Sequence, residues 1–163
     1  MDSNIFWTEQ DKDDLSRAKN FNELFQIAIL VLQRLKITVE PKKVSCSARK
    51  RKVIMVCGPI TSGGLGSVRD NLKVFGKYIR RMSSRGYAVF SQLRFEGAMW
   101  RIRTEMKCSE EDRNKMLLEI FYGQLFRSGY IDEFFFIPGW ETSFGASWEH
   151  EFIKKLGKPI YYL

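Results

Sequence analysis

Apolar residues recur at helical spacing through FNELFQIAILVLQRLK, at Phe21, Leu24, Phe25, Ala28, Leu32 and Leu35. That spacing predicts a helix with one buried stripe. It follows an acidic, polar stretch and ends before ITVEPKK. From residue 53 the pattern changes to short continuous apolar runs, VIMVC (53–57), YAVF (87–90), EFFFIP (133–138) and PIYYL (159–163), each expected to be a strand. Amphipathic segments separate them. Ser67 opens a helix with Asp70 in capping-box position and Val68, Leu72, Phe75, Ile79 and Met82 on one face. SEED at 109–112 opens another that runs to about Arg127, and residues 91–108 show no decisive period. A last helix is expected from Phe144 or Gly145 to Leu156, stopped by Gly157 and Pro159.

Strands that are continuously apolar and separated by helices call for a parallel sheet covered on both faces. The expected fold is therefore α/β, a three-layer Rossmann-like (flavodoxin-like) sheet. It divides into an N-terminal helical extension (1–40), a basic linker (41–52) and the α/β domain (53–163). In such sheets ligands bind beyond the C-terminal strand ends, where strand order switches. The two loops at that end are GPITSGGLG after the first strand and GWETSFG after the third.

In the second of these regions one residue breaks the pattern. Glu149, Ile153 and Leu156 fall at i, i+4 and i+7 on one face, so a carboxylate stands on an apolar stripe. His150, Glu151, Lys154 and Lys155 turn to other faces and read as solvated. A carboxylate there can complement the helix dipole or pair with a buried arginine. It can also attack the anomeric carbon of a sugar, as in retaining glycosidases. Ser143 is positioned as the helix N-cap, and with Gly145 it begins an amide-rich turn suited to an anion. The glycines of the first loop, Gly58, Gly63, Gly64 and Gly66, allow close approach of a ligand to the backbone. That loop is neither GxGxxG nor a P-loop. Trp140 and Trp148 flank the region and are suited either to stacking or to the core; Asp132, just before the third strand, is suited to a sugar contact or to capping.

Composition narrows the possibilities further. The chain of 163 residues has 44% hydrophobic residues and 13 Phe, enough for one packed core. The longest apolar run, 27–32, is too short for a membrane span, and a cytoplasmic protein is expected. Three widely spaced cysteines and one histidine suggest neither a disulfide framework nor a metal centre, and no cofactor is implied. Cys57, inside VIMVC, reads as a small buried hydrophobe. A net charge of +8 favours anionic ligands. Much of the excess lies in KKVSCSARKRK (42–52), which without aromatics reads as a solvated linker; nucleic acid is not the expected partner.

Together VIMVCGPITSGG, the helix with Asn71, GYAVF and YIDEFFFIPGWETSFGASWEHEFIKKLGKPIYY resemble the nucleoside 2-deoxyribosyltransferase-like superfamily over residues 53–163. The most specific element is S-x-G-x-x-x-E followed by an apolar helix and GKP. The resemblance implies that Glu149 is the nucleophile that attacks the sugar C1′. In the branch that hydrolyses 2′-deoxynucleoside 5′-monophosphates, Ser143 and Gly145 match the phosphate-binding residues. The loop containing Gly58, Pro59, Ile60, Gly63 and Gly64 resembles the family's pocket lining, and Asp132 matches an aspartate position of the family. The wording GWETSFGASWE also resembles a less characterised bacterial and phage subgroup. One departure stands out: the family places an acid about eight residues before the position of Asp132, and that position is Gln124. Glu119 and Glu96 are the acids available to replace it. The expected activity is N-glycosidic cleavage or transfer on a nucleoside 5′-monophosphate by a homo-oligomer. The alternative is a nucleotide-binding sensor or interaction module of the same fold, without turnover.

Overall fold

The structure is a computed structural model in which residues 7–39 and 52–163 are described. The expected basic linker lies outside the described residues except for Lys52. The elements are α1 (Glu9–Arg17), α2 (Phe21–Val39), β1 (Val53–Cys57), α3 (Val68–Ser84), β2 (Ala88–Phe90), α4 (Glu96–Glu105), α5 (Glu110–Met116), α6 (Gln124–Arg127), β3 (Glu133–Phe136), α7 (Phe144–Lys155) and β4 (Ile160–Tyr162). Short 3-10 turns at Gln92–Arg94 and Trp140–Thr142 precede α4 and α7. A π-wound segment, Leu117–Gly123, joins α5 to α6.

The four strands form one parallel sheet in the order β2-β1-β3-β4, with helices on both faces. This is the doubly wound, Rossmann-like α/β architecture that the uninterrupted apolar runs predict. Side-chain alternation along β1 builds both layers. Val53, Met55 and Cys57 face a large cluster fed by α2, α4, the π segment, α6 and α7, whereas Ile54 and Val56 face α3 through Phe75 and Met82. All five strand residues are buried.

Helix starts follow the sequence signals. Ser67 caps α3 by accepting from the Asp70 amide, and Ser109 caps α5 in the same way from Asp112. The acidic N-terminal stretch contains α1, opened by a reciprocal capping box between Thr8 and Asp11. Helix α2 packs against β1, β2, α4, α6 and the π segment, and its Leu24, Ala28, Leu32 and Leu35 belong to the same core as β1. No helix among the described residues is long and apolar enough to cross a membrane.

Candidate active site at the switch of the parallel sheet

From β1 the chain passes to β2 on one side and then crosses to β3 on the other, so a crevice opens beyond Cys57 and Phe136. Two loops form its rim. The loop after β1 is held by Asn71, which is buried in the first turn of α3. Its Nδ2 donates to the Ile60 and Gly63 carbonyls, both at 3.1 Å, and its Oδ1 accepts from the Leu65 amide at 2.8 Å. Gly63 and Gly64 have left-handed φ of 68° and 61°, a region that favours glycine. The Gly64 amide donates to Thr142 Oγ1 at 2.7 Å, clasping the first loop to the second. A Cβ on Gly63 would lie 2.3 Å from the Thr142 carbonyl. Gly63→Ala should therefore force the loops apart and lower stability by about 2 kcal/mol or more, as measured by urea unfolding.

The second loop delivers α7. Ser143 is buried as its N-cap; its Oγ accepts from the Ala146 amide at 3.4 Å and sits 3.4 Å from Ser62 Oγ. The Phe144 and Gly145 amides begin the helix and have no partner one turn back, so they and the dipole present a positive end to the crevice. Glu149 lies just over one turn further along and is only 6% exposed. The Cys57 thiol, at the end of β1, donates a hydrogen bond to its carboxylate.

Across the crevice stands a second carboxylate. Glu96 opens α4, on the stretch whose pattern was indecisive, and faces the same cavity of about 290 Å³. One wall is made by Gly58, Ile60, Thr61, Ser62, Ser143, Gly145 and Glu149. The other is made by Glu96, Met99, Arg103, Asn114, Leu118 and Tyr122, with Trp100 and Phe144 exposed at the mouth. Arg103 Nη2 donates to Asn114 Oδ1 at 2.6 Å. The π winding brings Leu117, Leu118 and Tyr122 to the cavity; such segments are frequent at functional sites.

Burial sets the protonation of this pair. It pushes Glu149 up to about 8, with the Glu96 charge adding to the rise and the Cys57 hydrogen bond opposing it. Burial likewise pushes Glu96 up to about 7, against the pull of Arg103. The Tyr122 hydroxyl is raised well above its ordinary value, chiefly by burial and then by both carboxylates. Two largely buried carboxyls lining one cavity resist ionising together.

The structure thus brings Gly58, Ile60, Ser143, Gly145 and Glu149 to one cavity. Pro59 and Gly64 line a separate cavity of about 320 Å³ flanking α3; the Gly64 amide also makes the loop clasp, and the Gly63 carbonyl accepts from Asn71. Asp132 is not part of the site. It sits at the opposite end of the sheet, bonded to Lys36 Nζ at 2.7 Å and accepting from the Val53 amide at 2.8 Å, so it fastens α2 and β1. Trp140 does not face the cavity either: it stacks on His150 with ring centroids 4.2 Å apart and packs on Phe136. His150, expected in solvent, is buried because β4 and the Trp140 turn cover that flank of α7; its Nε2 lies 2.7 Å from Tyr162 Oη. Leu156, expected on the inward face with Ile153, is 36% exposed at the C-cap. Gln124 points to α2, where it donates to Asn22 Oδ1 at 3.1 Å, and Glu119 is exposed. The residues that the pattern missed are Met99, Trp100, Arg103, Asn114 and Tyr122. The chain matches no protein-family model, no curated protein and no solved structure.

Proposed function

We propose that this protein cleaves or transfers the N-glycosidic bond of a nucleoside 5′-monophosphate through a covalent glycosyl-enzyme on Glu149. The observation that supports it best is the placement of Glu149, buried at the sheet's switch point, with Glu96 across one cavity and the positive end of α7 beside it. The 5′-phosphate takes the Phe144 and Gly145 amides and the Ser143 and Ser62 hydroxyls. A Glu149 carboxylate oxygen attacks C1′ as the C1′–N bond breaks, and the bond pair leaves on the base nitrogen. Glu96 delivers its proton to that nitrogen. In the second half the Glu96 carboxylate takes a proton from water, or from an acceptor base, as the incoming atom bonds to C1′ and frees Glu149. The Cys57 hydrogen bond and the developing positive charge on C1′ both favour the ionised form of Glu149 at the moment of attack.

A second reading has its own support. Burial favours the neutral form of Glu149 at pH 7, and a protonated carboxyl can hold a nucleotide by donating a hydrogen bond without attacking it. That is the property of a sensor. Incubating the protein with each ribo- and deoxyribonucleoside 5′-monophosphate, with and without an acceptor base, separates the two. Free base measured by chromatography, absent with Glu149→Gln, supports the enzyme, and the acceptor lanes divide hydrolysis from transfer. Saturable nucleotide binding with no base released supports the sensor.

A further inference from the structure

Helix α3 carries a feature that the cavity chemistry does not use. Its inner face is sealed on the sheet by Phe75 and Met82. On the opposite face Arg69, Lys73, Lys77 and Arg80, all exposed, project within about 80° of arc along about 17 Å of helix. Arg81 and Arg85, also exposed, extend the charge along one flank. Asp70 is the one acid in the helix, paired with Lys73 at 3.1 Å. Arg69, Lys77 and Arg80 form no ion pair among the described residues. The second observation is Gly76, on the same face beside Arg69 and Arg80. Glycine disfavours a helix interior, yet a Cβ here would meet only the flexible tip of Arg80, at 3.4 Å. Packing inside the chain gives no reason for glycine, while its absence of side chain leaves bare backbone in the middle of the cationic row.

We propose that the outer face of α3 binds the phosphodiester backbone of a nucleic acid, with Arg69, Lys73, Lys77 and Arg80 contacting successive phosphates and Gly76 letting the strand approach the helix. Cations one helical turn apart match a repeating row of phosphates, and the arginines can grip phosphate oxygens in pairs. An anionic membrane fits less well. A helix that lies on lipid inserts its apolar face, and that of α3 is occupied by the sheet. The inference is independent of the chemistry proposed for the cavity.

The test uses the whole protein and short labelled single-stranded and duplex DNA and RNA, with fluorescence anisotropy between about 50 and 200 mM NaCl. The variant Arg69→Gln/Lys73→Gln/Lys77→Gln/Arg80→Gln keeps residues 42–52 intact, so a loss belongs to α3. The expected result is binding by the native protein, with the variant weakened on the order of a hundredfold at low salt and its log–log salt slope shallower by about 3. Gly76→Leu should melt no lower than the native protein while binding about tenfold more weakly, which a purely structural glycine would not do. Unchanged affinity and slope in the quadruple variant would overturn the proposal. So would binding to phosphatidylserine vesicles with none to any oligonucleotide.

Discussion

Glu149→Gln is expected to lower kcat/KM for base release at least about a thousandfold and, in the same molecule, to make the fold more stable. Glutamine keeps the shape and a hydrogen-bonding end but cannot form the glycosyl ester. The stability gain follows from the pKa that burial imposes. In the unfolded chain this carboxyl ionises near its ordinary value of 4.5, whereas in the folded protein it holds its proton to about 8. Between those values the folded state binds the extra proton, so the native protein loses stability as pH rises through that window. Below it the penalty is absent, and above it the penalty is constant. Glu149→Gln removes the penalty, of the order of a few kcal/mol at the alkaline end. Urea unfolding of both proteins at pH 4, 6 and 8 checks it, at points chosen to span the window of about 4.5 to about 8. The expected result is curves that coincide at the acid end and separate with rising pH. A variant less stable than the native protein at the alkaline end would mean that Glu149 is a paired structural charge.

Glu96→Gln is expected to reduce kcat by about a hundred- to ten-thousandfold, with a smaller change in KM, because the leaving base loses its proton donor. A substrate whose leaving group departs without protonation should recover most of the loss, an outcome that a merely structural Glu96 would not give. The pH profile carries the same information. The proposed mechanism needs Glu96 protonated and Glu149 ionised, so base release by the native protein should peak between the values of about 7 and about 8 to which burial pushes Glu96 and Glu149, and fall on both sides. The two apparent values belong to the pair. Replacing Glu96 should remove the alkaline fall, leaving a profile that rises with the ionisation of Glu149 alone.

The strands and α7 were legible because buried parallel strands are apolar at every position and because caps mark helix starts locally. Glu149 was legible for the same reason, as an acid on an apolar face. Helix α4 was not. Its buried residues are Ala98, Met99 and Ile102, with Trp100 and Arg101 between them, too narrow a stripe to stand out. The wall that carries Glu96 was therefore missed except as an acid available in the chain. His150 was misread because a helical wheel gives directions but not what lies there, and β4 comes from beyond the helix. The direction of Gln124 depends on the π winding before it, which no local residue signals. The Cys57–Glu149 hydrogen bond joins residues far apart in the chain and appears only once β1 and α7 are placed together.

The covalent intermediate is the most direct test. The protein is mixed with its nucleoside 5′-monophosphate, quenched in acid within the first turnover and digested, and the peptide containing Glu149 is weighed by mass spectrometry. That peptide is expected to gain the mass of one sugar phosphate residue, on Glu149, and the gain to vanish in Glu149→Gln. Base release with no sugar on the peptide at any time, while Glu149→Gln remains active, would contradict it.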